Sequence, residues 1–295
     1  MKGPENKRKI KLLKQREFIA FAALIIIFMA FSLASENFFT LFNVMNIFRQ
    51  ASINAIIAVG MTFVIISGGI DLSVGAIVSL SGVMAAMVMG NWGMNSVVGV
   101  LCGLIVGIVI GFINGFVITK GGVPPIIATV ASMTIAKGLA LVLTGGRSVT
   151  NLPDSFSVIG RGNIGALPIP VFIIIITYVF GYVLLKKTRF GATVFGIGGN
   201  EEAARLAGTS VEWVKIRVYM FCGAMSAISG LIMASRLNSA SVNGGVGGVV
   251  GSLIGALLMS VLTNGFDLIG MGRYYQMIFT GIVLILAVTL QKKTR

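Results

Sequence analysis

Asp71 stands in the run SGGIDLSVG (67–75), where a glycine pair and one carboxylate interrupt two long apolar stretches. A carboxylate at bilayer depth costs about 2.5–3.5 kcal/mol on insertion scales, and it persists where it faces water, a partner or free backbone donors. Gly68 and Gly69 weaken a helix just before it, and Ser73 follows two residues later. The pattern reads as a helix break, with Asp71 as N-cap of the next span, accepting from backbone N–H groups near Ser73 and Val74. Ser67 beside the glycine pair superficially suggests a nucleophile, but the chain contains no histidine. That removes histidine dyads and triads, histidine metal sites and histidine-ligated haem together, so no catalytic or metal-ligating residue is expected. Cys102 and Cys222 sit inside apolar runs and read as packing residues rather than a disulfide.

The other candidate lies in the most polar internal stretch, KKTRFGATVFGIGGNEEAARLAGTSVEWVKIR (186–217). Gly198, Gly199 and Asn200 are expected to break the chain. Asn200 is a good N-cap, Glu201 and Glu202 suit the positive end of a helix, and Gly208 suits its C′ position. A short helix over 201–207 follows, made smooth by Ala203 and Ala204. Such a helix is either an ordinary loop element or a docking helix for a partner's groove.

The elements that must position these residues are set by the solvent. Of 295 residues, 56% are hydrophobic and 11% charged, more apolar material than one soluble core hides. Nine apolar segments of about membrane-spanning length can be placed: 18–34, 50–67, 73–90, 96–119, 124–144, 166–185, 216–235, 245–265 and 274–290. The fold class is an all-α polytopic membrane protein. The net charge of +14 does not imply nucleic acid, because the basic residues crowd the ends of spans. Seven of the 23 fall in the first 16 positions, and others cluster at Lys186, Lys187, Arg189, Lys215, Arg217, Lys292, Lys293 and Arg295. The positive-inside rule then gives a cytoplasmic N-terminus over 1–17, and six crossings return the chain to the cytoplasm at 186–215. One transmembrane domain over 18–290 and a basic tail over 291–295 complete the layout. Three further crossings would leave that tail outside, so the parity fails in the last third.

Gly99, Gly103, Gly107, Gly111 and Gly115 recur every four residues and make one smooth helix face for close packing. The loop 144–168 carries turn chemistry throughout. A weak internal echo pairs SGGIDLSVG with TNGFDLIGMG (263–272). No segment is long and polar enough to be an ATPase domain, so any ATP-derived energy must come from a partner.

At this point the residues carry a resemblance. The stretches 37–86, 198–240 and 251–288 closely resemble the bacterial ABC-importer permeases for ribose and related sugars, the ribose, xylose, arabinose and galactoside group. The resemblance implies a multi-pass subunit of the bacterial plasma (inner) membrane, with ten crossings and no cofactor of its own. ATP and Mg would sit on a cytoplasmic ABC ATPase, an extracytoplasmic sugar-binding protein would deliver substrate, and the permease would pair with a second copy or a paralogue. It assigns ATPase coupling to Gly199, Asn200, Glu201, Glu202, Ala204, Arg205 and Gly208. Because sugars are neutral polyols, Asp71, Ser73, Asn54 and Ser52 become translocation-pathway candidates, which leaves Asp71 open as cap or sugar contact. Gly103, Gly107, Gly111 and Gly115 remain packing residues. One departure stands out: members of the family carry roughly 20 further residues, about one crossing, where this chain passes almost directly from Asn243 to Gly247 near 241–246. That accounts for the parity failure and keeps a transport-incompetent shortened permease among the alternatives. The remaining alternative is an ion-coupled secondary transporter using Asp71 and Asp267.

Overall fold

The computed structural model describes residues 21–240, 253–272, 275–276 and 278–280. Among them, five helices are long and apolar enough to cross a membrane: α2 (Leu41–Ile66), α4 (Ser96–Thr119), α5 (Pro125–Thr144), α7 (Ile169–Lys187) and α10 (Val211–Leu237). Shorter apolar helices are α1 (Phe21–Ala34), α3 (Val74–Gly90) and the greater part of α11 (Leu253–Leu268). Between them come α6 (Asp154–Arg161), α8 (Arg189–Gly199), α9 (Glu201–Leu206) and four two-residue strands. The ninth expected segment lies largely outside the described residues, as does the shortened stretch near 241–246.

Two helices begin well before their apolar runs. α2 starts at Leu41 rather than near 50, and α10 at Val211 rather than near 216. Hydropathy marks only the lipid-facing part of a span, whereas intrahelical hydrogen bonding continues through polar residues at its end. Thr40 Oγ1 accepts from Asn43 N at 3.3 Å and so caps the early start of α2. The other ends follow local rules. Asn95 caps α4 by accepting from Val98 N at 3.0 Å. Pro125 and Pro170 sit in the first turns of α5 and α7, where the missing N–H is harmless. Gly145 (φ 59°) ends α5 in the left-handed conformation.

The chain divides into two units, Ser52–Gly251 and the pair Met1–Ala51 with Ser252–Arg295. Within the first, α10 is the central helix and packs against α3, α4, α6 and α8. The glycines of α4 are the reason α4 comes so close. A Cβ on Gly107 would overlap the Gly223 carbonyl oxygen, one on Gly111 the Tyr219 carbonyl oxygen, and one on Gly115 would lie 2.6 Å from Ile216 Cα. Gly103 faces the Ser81 carbonyl of α3 and Leu231 of α10. These four residues are buried, while Leu101, Ile105, Val109 and Phe112 on the remaining surface of α4 are exposed, as a lipid-facing side requires.

The loop 144–168 is more structured than its turn chemistry suggests. β1 (Val149–Thr150) pairs antiparallel with β4 (Ser239–Ala240), and β2 (Asn163–Ile164) with β3 (Leu167–Pro168). α6 buries Phe156 and lays Gly160 against the backbone of α10, where Ser235 Oγ accepts from Gly160 N at 2.8 Å and donates to Phe156 O at 2.6 Å.

In the second unit, Phe38, Ile47 and Val261 form a core with Leu24, Ile27, Phe28 and Phe31. Asn43 and Asn264 exchange a reciprocal pair of amide hydrogen bonds, each 2.9 Å, inside it. The Gly-x-Asp-Leu echo does not survive as a structural repeat. Asp71 is buried in a connection between helices, whereas Asp267 is exposed in the last turn of α11 and accepts from Gln276 Nε2 at 2.8 Å.

The glycine seam has a direct test. Gly111→Ala forces α4 away from the α10 backbone and is expected to cost about 1–3 kcal/mol, as overpacking does. Gly138→Ala in α5, where a Cβ meets nothing within 4 Å, is expected to be neutral or stabilising by up to about 1 kcal/mol. Thermal unfolding of the detergent-solubilised protein distinguishes the two; equal midpoints would contradict the seam.

Candidate functional site

The connection between α2 and α3 holds Asp71. α2 ends at Ile66, and Ser67 folds its hydroxyl back to the Val64 carbonyl at 2.8 Å. Gly68 takes φ 81°, a conformation that disfavours a side chain. Gly69 lies under the Tyr219 ring, where a Cβ would come within 2.5 Å of the hydroxyl oxygen. Asp71 is fully buried. Its Oδ1 accepts from Ser73 N at 2.9 Å and from Ser73 Oγ at 2.6 Å. This is an Asx-turn, a side chain standing in for a backbone turn two residues on. It corrects the expected geometry: Ser73 occupies the N-cap position of α3, and Asp71 braces Ser73 rather than reaching Val74.

The second contact of Ser73 comes from another helix. Asn114 of α4, also fully buried, donates Nδ2 to Ser73 Oγ at 2.9 Å. Tyr219 of α10 donates its hydroxyl to the Ile70 carbonyl at 3.3 Å, and the Cys222 thiol lies against the Asp71 carboxyl. Asp71 Oδ2 and Asn114 Oδ1 have no hydrogen-bond partner among the described residues. Around the connection, Val64, Val74, Val194, Ile197, Val211, Val214, Val218 and Tyr219 form one apolar cluster drawn from α2, α3, α8 and α10.

The structure does not bring the four pathway candidates together. Asp71 and Ser73 share the connection, but Ser52 lies fourteen residues before Ile66, about 21 Å along α2 at 1.5 Å per residue. Ser52 is buried and Asn54 half-buried there, beside the part of α2 where Ser229 of α10 donates to the Ile53 carbonyl at 2.9 Å.

The 186–217 stretch gathers at the same end of this unit as the Asp71 connection. Thr188 caps α8 by accepting from Gly191 N at 3.2 Å. Gly198 and Gly199 form the last turn of α8, so the chain turns one residue later than the glycine pair suggests, at the extended Asn200. Gly199 has open space around it, whereas a Cβ on Gly198 would overlap the Ile66 carbonyl oxygen at the end of α2.

Asn200 caps α9 by accepting from Ala203 N at 2.9 Å, and Gly208 follows it with φ 82°. None of the residues of α9 is buried. Ala204 is half-buried, Glu202 is exposed, and Leu206 next to them is 84% exposed. The charged residues form a chain onto α10: Lys215 Nζ to Glu201 Oε2 at 2.5 Å, Glu201 to Arg205 at 3.8 Å, and Arg205 to Glu212. Hydrogen bonding to Glu212, and then its charge, hold the Arg205 guanidinium above its ordinary range. The pairs are partly exposed, so each adds little stability; their effect is to fix the direction of a helix without a core of its own.

Asn114, Tyr219, Lys215 and Leu206 were missed as site residues from sequence alone, and Gly198 was read only as part of a chain break. Asn114 carried a signal, since it sits beside Gly115 and three residues after Gly111 on the close-packed side of α4. Tyr219 and Gly198 have partners more than a hundred residues away and Lys215 has one in a different element, while Leu206 is exposed and no local pattern marks it.

Among the described residues, five helices long and apolar enough to cross a membrane define a polytopic membrane protein. The family described as "Branched-chain amino acid transport system / permease component" matches residues 43–288. The chain is 41% identical to the ribose import permease protein RbsC of Bacillus subtilis, covering 92% of each chain, and 39% identical to that of Escherichia coli K12, covering 97% of this chain and 95% of the relative. It is 34% identical to the L-arabinose transport system permease protein AraH of Escherichia coli K12, covering 89% and 86%. No solved structure matches it. The chain belongs to this family of ABC-importer permeases; it is a multi-pass subunit of the inner membrane and not itself an enzyme. In the Bacillus subtilis alignment, 92% of this chain is about 271 residues against an aligned length of 296, so about 25 positions are filled only in the relative. That is about one crossing; the expected place for it, near 241–246, is outside the described residues.

Removal of the Asp71 side chain is expected to leave the buried Ser73 N–H and hydroxyl without their acceptor, at a cost of about 1–3 kcal/mol. Asp71→Asn keeps an oxygen at the Oδ1 position and is expected to retain most of the folded yield that Asp71→Ala loses, measured by size-exclusion chromatography in detergent. Equal yields for the two would remove the bracing role.

Proposed function

We propose that this chain is the membrane subunit of an ATP-driven importer for ribose or a related sugar, and that α9 is where a cytoplasmic ATPase docks. The observation that carries the reading is the form of α9: capped at Asn200, closed at Gly208, ion-paired to α10 and offering Leu206 with no cover. A rigid helix with an exposed apolar tip suits insertion into a partner's groove. The sugar class comes from what the ribose and arabinose permeases are named for. In this reading the N-terminus 1–17 and the loop 186–215 face the cytoplasm, 18–290 is one permease domain, and 291–295 is a basic tail. A second permease copy or paralogue completes the pathway, a sugar-binding protein delivers substrate from outside, and ATP and Mg sit on the ATPase. Gly199, Glu202 and Leu206 face that ATPase, while Glu201 and Arg205 hold α9 in place through Lys215 and Glu212, and Ala204 packs it onto the apolar cluster of this unit.

Leu206→Asp is expected to reduce co-purification of the cognate ATPase by about tenfold or more, the scale of a lost apolar anchor, with insertion and yield unchanged. Unaltered co-purification would overturn the docking assignment. Uptake of labelled ribose into proteoliposomes carrying the permease, its ATPase and the binding protein tests the substrate class. The shortfall of about one crossing supports a second reading, a permease that docks its ATPase and does not transport; docking without uptake of any pentose or hexose would establish it.

A further inference from the structure

The α2–α3 connection and the α8–α9 loop touch through two independent contacts. The first is direct: Gly198 in the last turn of α8 seats on the Ile66 carbonyl, the final residue of α2, so closely that no side chain fits between them. Val194 and Ile197 of α8 are buried in the same cluster as Val64 of α2 and Val74 of α3. The second runs along α10. Glu212 and Lys215 hold α9, and Tyr219 and Cys222 meet the connection at Ile70 and Asp71. Positions 212, 215, 219 and 222 lie along one side of a helix, three or four residues apart. Inside the connection, Asp71 braces Ser73, and Ser73 is bound by Asn114 of α4. The stretch that holds the ATPase-facing helix is therefore in contact with the point where α2, α3 and α4 are tied together.

We propose that the SGGIDLSVG connection is the receiver of ATPase motion: displacement of α8–α9 is passed through Gly198 onto Ile66, and through Tyr219 onto Ile70, to the start of α3. Asp71 is on this view a positioning residue that keeps the connection stiff, and it does not contact sugar. The proposal rests on α9 being the docking helix. Stiffness is what the geometry supplies, because tightly packed contacts between backbones transmit displacement without yielding.

Leu72, next to Asp71, is 44% exposed and accepts a reporter. In a Cys102→Ser background, with the buried Cys222 retained, Leu72→Cys carries a spin label, and the permease–ATPase complex is examined with and without ATP in the absence of Mg. Adding ATP is expected to change the label's mobility. Tyr219→Phe, which removes only the hydroxyl, and Gly198→Ala are both expected to abolish most of that change while the ATPase still co-purifies. Gly196→Ala, in the same helix and where a Cβ meets nothing within 4 Å, is expected to preserve it. The readout does not require transport, so it applies to an incompetent permease as well. A docked ATPase with no response at Leu72, or a response that persists in Tyr219→Phe and Gly198→Ala, overturns the receiver role alone. Failure of the parent to bind the ATPase overturns the docking reading and this one with it.

Discussion

The close approach of α4 to α10 is the constraint on which the first unit depends. Without a hydrophobic force between helices in lipid, two spans associate through van der Waals contact and hydrogen bonds, and both need short distances. Gly107, Gly111 and Gly115 allow the α4 backbone to lie on the α10 backbone. Asn114, on the same side of α4, is thereby carried within hydrogen-bonding distance of Ser73. Tyr219, whose own carbonyl lies under Gly111, reaches Ile70 from the other helix. The polar cluster at Asp71 is in this sense a product of the glycine seam.

That arrangement also explains how a carboxylate stays in so apolar a chain. Asp71 has two donors from Ser73 and sits at a connection between helices, where backbone groups are free and a turn must be braced. The insertion cost of a charge at mid-helix does not apply in full to a side chain held at the end of two helices by its own turn. The burial of Asp71 and its distance from Ser52 argue for bracing over solute contact.

The 186–217 loop shows a division of labour within six residues. Glu201 and Arg205 turn inward to Lys215 and Glu212, and so orient α9. Leu206 and Glu202 remain outward. A helix of this length cannot hold itself together in water, so its caps and ion pairs supply the rigidity that a core gives longer helices. The same loop reaches the Asp71 connection through Gly198, which places the two in mechanical contact.

The sequence by itself determined the helical membrane class, most span positions, the glycine face of α4, and the caps of α9 at Asn200 and Gly208. These rest on periodicity, hydropathy and single-residue backbone preferences, all of which act within a few neighbours. The early starts of α2 and α10 were not legible, because polar residues at a span's end continue the helix without adding hydropathy. The partners of Asp71 beyond its own turn, the seating of Gly198 on Ile66 and the pairing of Lys215 with Glu201 were decided only by tertiary structure. Each joins residues that sequence spacing does not relate, and each exists because packed helices fix distances that no local rule specifies.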